Sequence, residues 1–405
     1  MDFTDKKAIN GFLEDNEIED MAQLDLVFKS MAGAMLDKLL EGERDTHLGY
    51  SKYDYANKKT DNSRNGYSPK NVKSNYGDIE LKIPRDRDGT FEPQLVGKYQ
   101  KDITGIEEKI ISMYAKGMTV RDIQSFIGEI YGGEVSPQTI SNITNRVLPL
   151  MEEWRNRQLK EMYAITYIDG IRFNVRSNGQ VKEKTVYGVI GIDLEGNKDV
   201  LGLWIAETES AKYWLGVLTE LRNRGLKDIL IITSDDLPGI QEAISAVYPD
   251  AAYQGCVVHI IRNSLKYVSY KDLKEFSSDI KPIYKSPTEE SALFAFDELK
   301  KKWYGKYKLA VDVWERNWSR MKTMYSFTEE VRILIYTTNP IESFNRQLRK
   351  VTKNRSVFPD DTAALKLIYL ATREVLKKWT MRIKDWNRIL AQLSIHFGDR
   401  LGERL

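Results

Sequence analysis

The stretch Tyr163-Ala-Ile-Thr-Tyr-Ile-Asp169-Gly-Ile-Arg-Phe-Asn-Val175 leads through Asn178-Gly179 into Val181-Lys-Glu-Lys-Thr-Val-Tyr-Gly-Val-Ile-Gly-Ile192. Both runs are rich in β-branched and aromatic residues, and Asn-Gly between such runs is the strongest short hairpin signal. Glu195-Gly196-Asn197 marks a second turn and Val200 to Ala206 a third strand. Three strands joined by tight turns make an antiparallel meander. A helix is expected from about Ser210, with Trp214, Val217, Leu218 and Leu221 on one face and Gly225 as its stop. Asp228 to Thr233 is a continuous apolar run, as a buried central strand requires. A helix with Ile240, Ala243, Ile244 and Val247 and a strand from Tyr253 to Val258 follow.

The order β-β-β-α-β-α-β is that of a ribonuclease-H-like core. The fold class expected is therefore α/β: such a core interrupted by an all-helical insertion and preceded by a helical, helix-turn-helix-like DNA-binding region. The expected segments are 1–100, an N-terminal helical region and basic arm; 101–155, the helix-turn-helix-like domain; 156–264, the first part of the core; 265–330, the insertion; and 331–405, the final part of the core with basic C-terminal helices. Within the first segment, residues 17–45 read as an amphipathic helix, 50–75 as a loop or mobile arm, and Ile79, Leu81 and Ile83 as a short strand. Thr119-Val-Arg-Asp122 resembles a capping box, Gly132-Gly133 ends that helix, and Ser136-Pro137 opens the next, with Ile140, Ile143 and Val147 inward. Two short capped helices about a tight turn suit a DNA reader, with Gln138, Thr139 and Asn142 placed to contact DNA, although such pairs are also common packing units.

Around this frame the composition sets limits. The chain has 405 residues, 41% of them hydrophobic, with 61 Lys/Arg against 59 Asp/Glu and a net charge of +2. Full disorder and a uniformly basic coating are both excluded. The charge is segregated, however. Residues 1–50 hold five Lys/Arg against twelve Asp/Glu, whereas residues 343–390 hold twelve against four. The basic stretch also carries Phe344, Phe358, Tyr369, Trp379 and Trp386, a mixture that suits a phosphate-lined partner. Cys256 is the one cysteine, so no intrachain disulfide forms and a cytoplasmic setting is favoured. MDFTDKKAIN lacks the apolar region of a signal peptide, and no apolar run is long enough for a transmembrane helix, so no membrane partner is expected.

Three carboxylates stand out. Asp169 interrupts the apolar alternation of the first core strand, where a charge is costly unless something binds it. Asp235 follows the buried run 229–233 at its C-terminal end, where α/β sheets place ligands. Glu342 opens a late helix whose wheel sets Ile341, Phe344, Leu348 and Val351 against Glu342, Arg346, Arg349 and Lys353. Asn339-Pro340-Ile341-Glu342 equally fits a plain capping pattern. Two Asp and one Glu on strand, strand and helix suit a two-metal phosphoryl-transfer site with Mg²⁺, for which Mn²⁺ would substitute. Arg346, Arg349, Lys350 and Lys353 would contact phosphates beside it, as would Arg262 and His259. Cys256-Val-Val-His259 resembles half a zinc site, but no second pair at finger spacing exists, and Cys256 in a buried strand reads as core. Trp303, Trp314 and Trp318 of the insertion are candidates to stack on an unpaired base, or simply core.

Several phrases together resemble a bacterial insertion-sequence transposase of the Mutator type. They are Asn65-Gly-Tyr-Ser, Ile83-Pro-Arg-Asp-Arg, Ile111-Ser-Met-Tyr-Ala-Lys-Gly-Met, Gly188-Val-Ile-Gly-Ile-Asp, Glu209-Ser-Ala-Lys, Cys256-Val-Val-His259 with Arg262-Asn263, and Thr337-Thr-Asn-Pro-Ile-Glu-Ser-Phe-Asn-Arg. The resemblance implies a DDE transposase with catalytic acids at Asp169, Asp235 and Glu342. It implies cleavage at the terminal inverted repeats of the element, strand transfer into target DNA by a 3′-hydroxyl, a copied circular intermediate, and a homodimer that synapses two ends of double-stranded DNA near the nucleoid. The chain departs from that pattern at Gly170, Arg172, Asp236, Pro238 and Gly255. Asp236 puts an additional carboxylate beside Asp235, and Pro238 and Gly255 remove cations. The rival readings are a non-catalytic DNA-binding regulator and a ribonuclease-H-like nuclease that uses water alone.

Overall fold

The computed structural model describes residues 20–401 except 55, 57, 75–76, 98–103, 132–135 and 337–338. Internal contacts divide the chain into two compact units, Met1–Leu150 and Met151–Leu405.

The first unit opens with α1 (Met21–Leu48). Asp20 and Gln23 form a reciprocal capping box, and Gly49 ends the helix in the left-handed region at φ 72°. Its buried side carries Met35, Leu36, Leu39 and Leu40. The hairpin β1 (Arg64–Ser74) and β2 (Gly77–Asp86) follows, with β2 lying against α1. The loop or mobile arm expected over 50–75 is therefore corrected: from residue 64 it is a paired strand. Only Val72 of β1 is buried, so one face meets solvent and the other offers little apolar alternation to read. Next come α2 (Thr104–Ala115), α3 (Val120–Tyr131) and α4 (Pro137–Asn145), and the division at Leu150 falls within α5 (Val147–Asn156). Ile110, Tyr114, Ile123, Ile127, Ile140 and Ile143 are all buried in this helical unit. Both expected caps form. The Thr119 N–H donates to Asp122 at 2.8 Å while the Asp122 N–H donates to Thr119 Oγ1 at 3.1 Å, and Ser136 accepts from the Thr139 N–H. Gly132-Gly133 lie outside the described residues.

The second unit is built on a five-stranded sheet. Its strands are β3 (Met162–Ser177), β4 (Gln180–Ile192), β5 (Lys198–Ala206), β6 (Asp228–Ser234) and β7 (Ala252–Gly255), in the order β5-β4-β3-β6-β7. The first three pair antiparallel, and β6 and β7 add parallel. Asn178 and Gly179 both take positive φ, 50° and 78°, as the tight hairpin between β3 and β4 needs. The helices α6 (Ala211–Asn223) and α7 (Ile240–Val247) supply the crossovers, and their Trp214, Leu218, Leu221 and Ile244 join Tyr163, Val189 and Ile232 in one core. The last strand is shorter than expected. It stops at Gly255, and α8 (Val257–Leu265) begins with Cys256 as its N-cap residue.

The all-helical stretch contains α9 (Tyr270–Asp279), α10 (Lys281–Lys285) and α11 (Glu289–Met321), which kinks at Tyr307. A 3₁₀ turn over Lys322–Ser326 leads to α12 (Glu329–Tyr336) and α13 (Asn339–Thr352). Asn339 is already inside α13, one position later than the N-cap expected for it. The chain closes with α14 (Asp361–Leu376) and α15 (Trp386–Leu401). Tyr167 and Thr233 of the sheet donate to the carbonyls of Leu334 and Ile335, and Phe344 packs over Gly188, where a Cβ would stand 3.2 Å from its ring. These contacts hold α12 on β3 and β6, and α13 on β4 beside them. Among the described residues, no helix is long and apolar enough to cross a membrane.

Candidate active site

β3 and β6 are parallel and in register, with Ile168 opposite Ser234. The next residues, Asp169 in the middle of β3 and Asp235 just past the end of β6, therefore stand at the same level. Both line one cavity of about 290 Å³. Asp169 Oδ1 accepts the Gly170 N–H at 2.7 Å, and Oδ2 accepts from Asn345 Nδ2 at 2.7 Å. Burial, and then the charge of Asp235, push the Asp169 carboxyl up to about 6, against the pull of His259, the Gly170 N–H and Asn345. Asp235 is ion-paired with His259 Nδ1, which also lies 3.2 Å from Cys256 Sγ. Burial works against the charged imidazole, but the hydrogen bonds to Asp235 and Cys256 outweigh it and raise His259 to about 10. The ring is thus an imidazolium at neutral pH.

Glu342 does not line that cavity. It sits half-buried on α13 with Arg262 of α8 at 2.7 Å. Asn345, one turn further along α13, is the residue that reaches Asp169. Residues three apart on a helix share a face, so Glu342 stands one turn from the Asp169 carboxylate. The structure thus brings the two aspartates into one cavity and leaves the glutamate outside its lining, on the helix whose Asn345 reaches Asp169. Three lining or supporting residues escape the sequence reading. Asn345 lies inside the quoted phrase from Thr337 to Arg346, but signals nothing without its distant partner. Glu209 lies in the quoted Glu209-Ser-Ala-Lys; it lines the same cavity and accepts from the Tyr187 hydroxyl. Arg320 of α11 carries no local signal at all; it lines the cavity and pairs with Asp236.

The aromatic expectations are corrected. Trp303 and Trp314 are buried, and their indole N–H groups donate to Asp279 at 2.8 Å and Ser264 at 3.0 Å. A ring enclosed on both faces and satisfied at its nitrogen is core, and neither is available to stack on a base. Trp318 is half-buried between Phe296 and Tyr325, with both rings stacked against it. In the basic stretch, Phe344, Phe358, Tyr369 and Trp386 are likewise core, and Trp379 is half-buried with Lys198 over its ring.

The family model described as Transposase, Mutator family matches residues 3–382. The chain belongs to the Mutator family of transposases. It is 39% identical over 397 residues to the transposase for insertion sequence element ISRM3 of Rhizobium meliloti (strain 1021), a match covering 98% of each chain. It is 32% identical to the transposase for insertion sequence element IS905 of Lactococcus lactis subsp. lactis (strain IL1403), over 91% of this chain and 94% of that one. A solved simian T-cell lymphotropic virus intasome in complex with PP2A regulatory subunit B56 gamma overlaps 44% of this chain and 63% of that chain. Its identity is 13% and its TM-score 0.19, a likeness too faint to bear on the fold.

Against the Mutator pattern, three of the departures have a structural setting. A Cβ on Gly170 would meet Thr185 Cγ2 at 2.5 Å and the Tyr187 ring at 2.8 Å, so those two side chains occupy the space an alanine would need. The additional carboxylate of Asp236 is neutralised by Arg320. Gly255 lies against Arg320, with a Cβ there only 3.2 Å from the arginine Cβ, so the position without a cation has one beside it from α11. Arg172 is exposed and pairs with Glu183 at 3.3 Å. Nothing in the structure explains Pro238.

Of the residues expected at DNA, Arg346, Arg349 and Lys350 on α13 and Lys353 just past its end are exposed, and none has an ion pair among the described residues. Arg262 and His259 instead hold Glu342 and Asp235. In the first unit Gln138 is exposed and donates to Asn142 at 3.1 Å. Thr139 and Asn142 are half-buried and line a crevice with Phe28, Met31 and Met35 of α1.

Proposed function

We propose that this Mutator-family chain is a metal-dependent DNA transposase with a ribonuclease-H-like core. It would cleave strands at the terminal inverted repeats of its insertion sequence and join them to target DNA through a 3′-hydroxyl. One observation carries the reading: two carboxylates from adjacent parallel strands face one cavity at the same level, under the helix that bears Glu342. The strand order β5-β4-β3-β6-β7 supports the ribonuclease-H-like assignment.

The residues fit a divalent metal. Asp169, whose ionisation burial and then the charge of Asp235 oppose, forms with Asp235 a hard-oxygen pair of the kind Mg²⁺ or Mn²⁺ takes. Asp169 and Asp235 would hold it, with Glu342 completing the set. When bound, the metal supplies Lewis-acid activation of the attacking and departing oxygens. Asn345 and the Gly170 N–H orient the Asp169 carboxylate, and His259 holds Asp235 in place. Arg262 balances Glu342, and Arg346, Arg349, Lys350 and Lys353 would track a DNA backbone from α13 into the site. Glu209, fixed through Tyr187, adds a further carboxylate to the cavity wall. The three-helix part of the first unit would read terminal DNA, with Gln138 as its exposed contact. Two-ended synapsis would take a homodimer.

The test is strand cleavage and joining on duplexes carrying the inverted repeats that flank the gene, with Mg²⁺ or Mn²⁺. Asp169→Ala should abolish cutting and keep DNA binding. A wild-type protein that binds these ends and cuts nothing is a regulator. One that cuts and never yields joined donor–target products is a nuclease.

A further inference from the structure

Beside the oxygen pair lies a cluster of softer donors. The ligand atoms of Asp235, Cys256 and His259 all lie within 4.8 Å of one another. Cys256 caps α8 where β7 ends, and its N–H donates to the Ser234 carbonyl at 2.8 Å, which pins the thiol beside the end of β6. His259 is three residues on, so imidazole and thiol share one helix face. Nδ1 stands 3.2 Å from Sγ and touches Oδ1 of Asp235. With zinc–sulfur and zinc–nitrogen bonds of about 2.3 and 2.0 Å, tetrahedral neighbours stand about 3.5 Å apart. The sulfur–nitrogen pair needs only a few tenths of an ångström to open to that spacing.

We propose that Asp235, Cys256 and His259 form a three-ligand site for a borderline divalent ion, with Zn²⁺ as the type, whose fourth position opens on the 290 Å³ cavity. Thiolate and imidazole select such an ion over Mg²⁺, which prefers oxygen and holds its waters. Binding deprotonates the Cys256 thiol and the His259 Nδ1, and both protons pass to solvent. Two protein nitrogen and sulfur donors with one carboxylate and an open position are the ligand count of a reactive rather than a closed structural zinc site. The consequence rests on the function proposed above: an ion seated here takes Asp235 out of the oxygen pair, so Zn²⁺ inhibits cleavage in competition with Mg²⁺.

The binding itself is tested without any cleavage assay. Titration of the full chain with Co²⁺ should develop a thiolate-to-cobalt charge-transfer band that saturates at one equivalent and is lost when Zn²⁺ is added. Cys256→Ser and His259→Asn should lose the band and bind Zn²⁺ at least ~100-fold more weakly, since losing even the groups behind a ligand costs 10–100-fold. Asp169→Asn should keep it. No thiolate band in the wild-type chain overturns the proposal, whatever the variants do. So does a Cys256→Ser protein that binds Zn²⁺ as tightly as its parent. Absence of cleavage by every protein would count against the transposase reading and leave the band untouched, so the two failures are distinguishable.

Discussion

Asp169 is where the cost of the site is concentrated. Its folded pKa is raised from 3.8 to about 6 by burial and by Asp235. A raised carboxyl destabilises the fold when it is ionised. The penalty is absent at about pH 4, grows as pH rises to about 6, and is complete above that. At about 1.4 kcal/mol per unit, and with allowance for its partial exposure, it amounts to roughly 2 kcal/mol. Asp169→Asn should therefore raise the metal-free melting temperature at pH 7.5, and the gain should vanish near pH 4. A variant that melts with the wild type at pH 7.5 would contradict this origin of the shift. Stabilisation by Mg²⁺ should grow over the same pH window, because protons and metal compete for one carboxylate; differential scanning calorimetry in a pH series reads both. Asp169 is legible in sequence because it breaks an apolar alternation. Asn345 is not: its meaning comes from a hydrogen bond to a residue 176 positions away. Arg320 is invisible for the same reason, and without it Asp236 reads as an uncompensated charge.

At the scale of elements, α13 lies against β3 and β4 and brings Asn345 to Asp169. Ile341, Phe344 and Leu348 bury its inner face, Asn345 reaches Asp169, Glu342 pairs with Arg262, and Arg346, Arg349 and Lys350 look outward. Phe344→Ala should cost about 3–5 kcal/mol, the usual range for a buried phenylalanine. It should also loosen Asn345 from Asp169. Asn345→Ala keeps the helix packed, so its signature is weaker metal binding with little change in melting temperature; calorimetric titration with Mn²⁺ separates the two variants. An Asn345→Ala protein with unchanged Mn²⁺ affinity would show that the side chain does not orient the carboxylate. The core strands and crossover helices are readable because their patterns are local: Asn178-Gly179 for the hairpin, Ser210 and Gly225 for the ends of α6. Of the β1–β2 hairpin, β2 is legible from the alternation of Ile79, Leu81 and Ile83, whereas β1 escapes such a reading because only its Val72 is buried. The end of β7 falls three residues before the expected one, because Cys256-Val-Val is as good a strand as it is a helix start.

Over the whole molecule, a net charge of +2 conceals how the charge is distributed. Four of the five aromatic residues interleaved in the basic stretch are buried, and α13 carries a row of exposed cations. Replacing Arg346, Arg349, Lys350 and Lys353 by Ala should weaken DNA binding evenly across sequences. It should lower the slope of log K against log salt by about one for each phosphate that no longer has a cation on it. A quadruple variant with the wild-type slope would move the DNA path elsewhere. The central claim is that Asp169, Asp235 and Glu342 act together as the metal-dependent strand-transfer centre. It is tested most directly by incubating wild type, Asp169→Asn, Asp235→Asn and Glu342→Gln with the flanking inverted-repeat duplex, target plasmid and Mg²⁺, and counting joined products. The account predicts joined products from the wild type and none from any of the three variants, all four proteins binding the duplex alike. Joined products from the Glu342→Gln protein at the wild-type rate would contradict it.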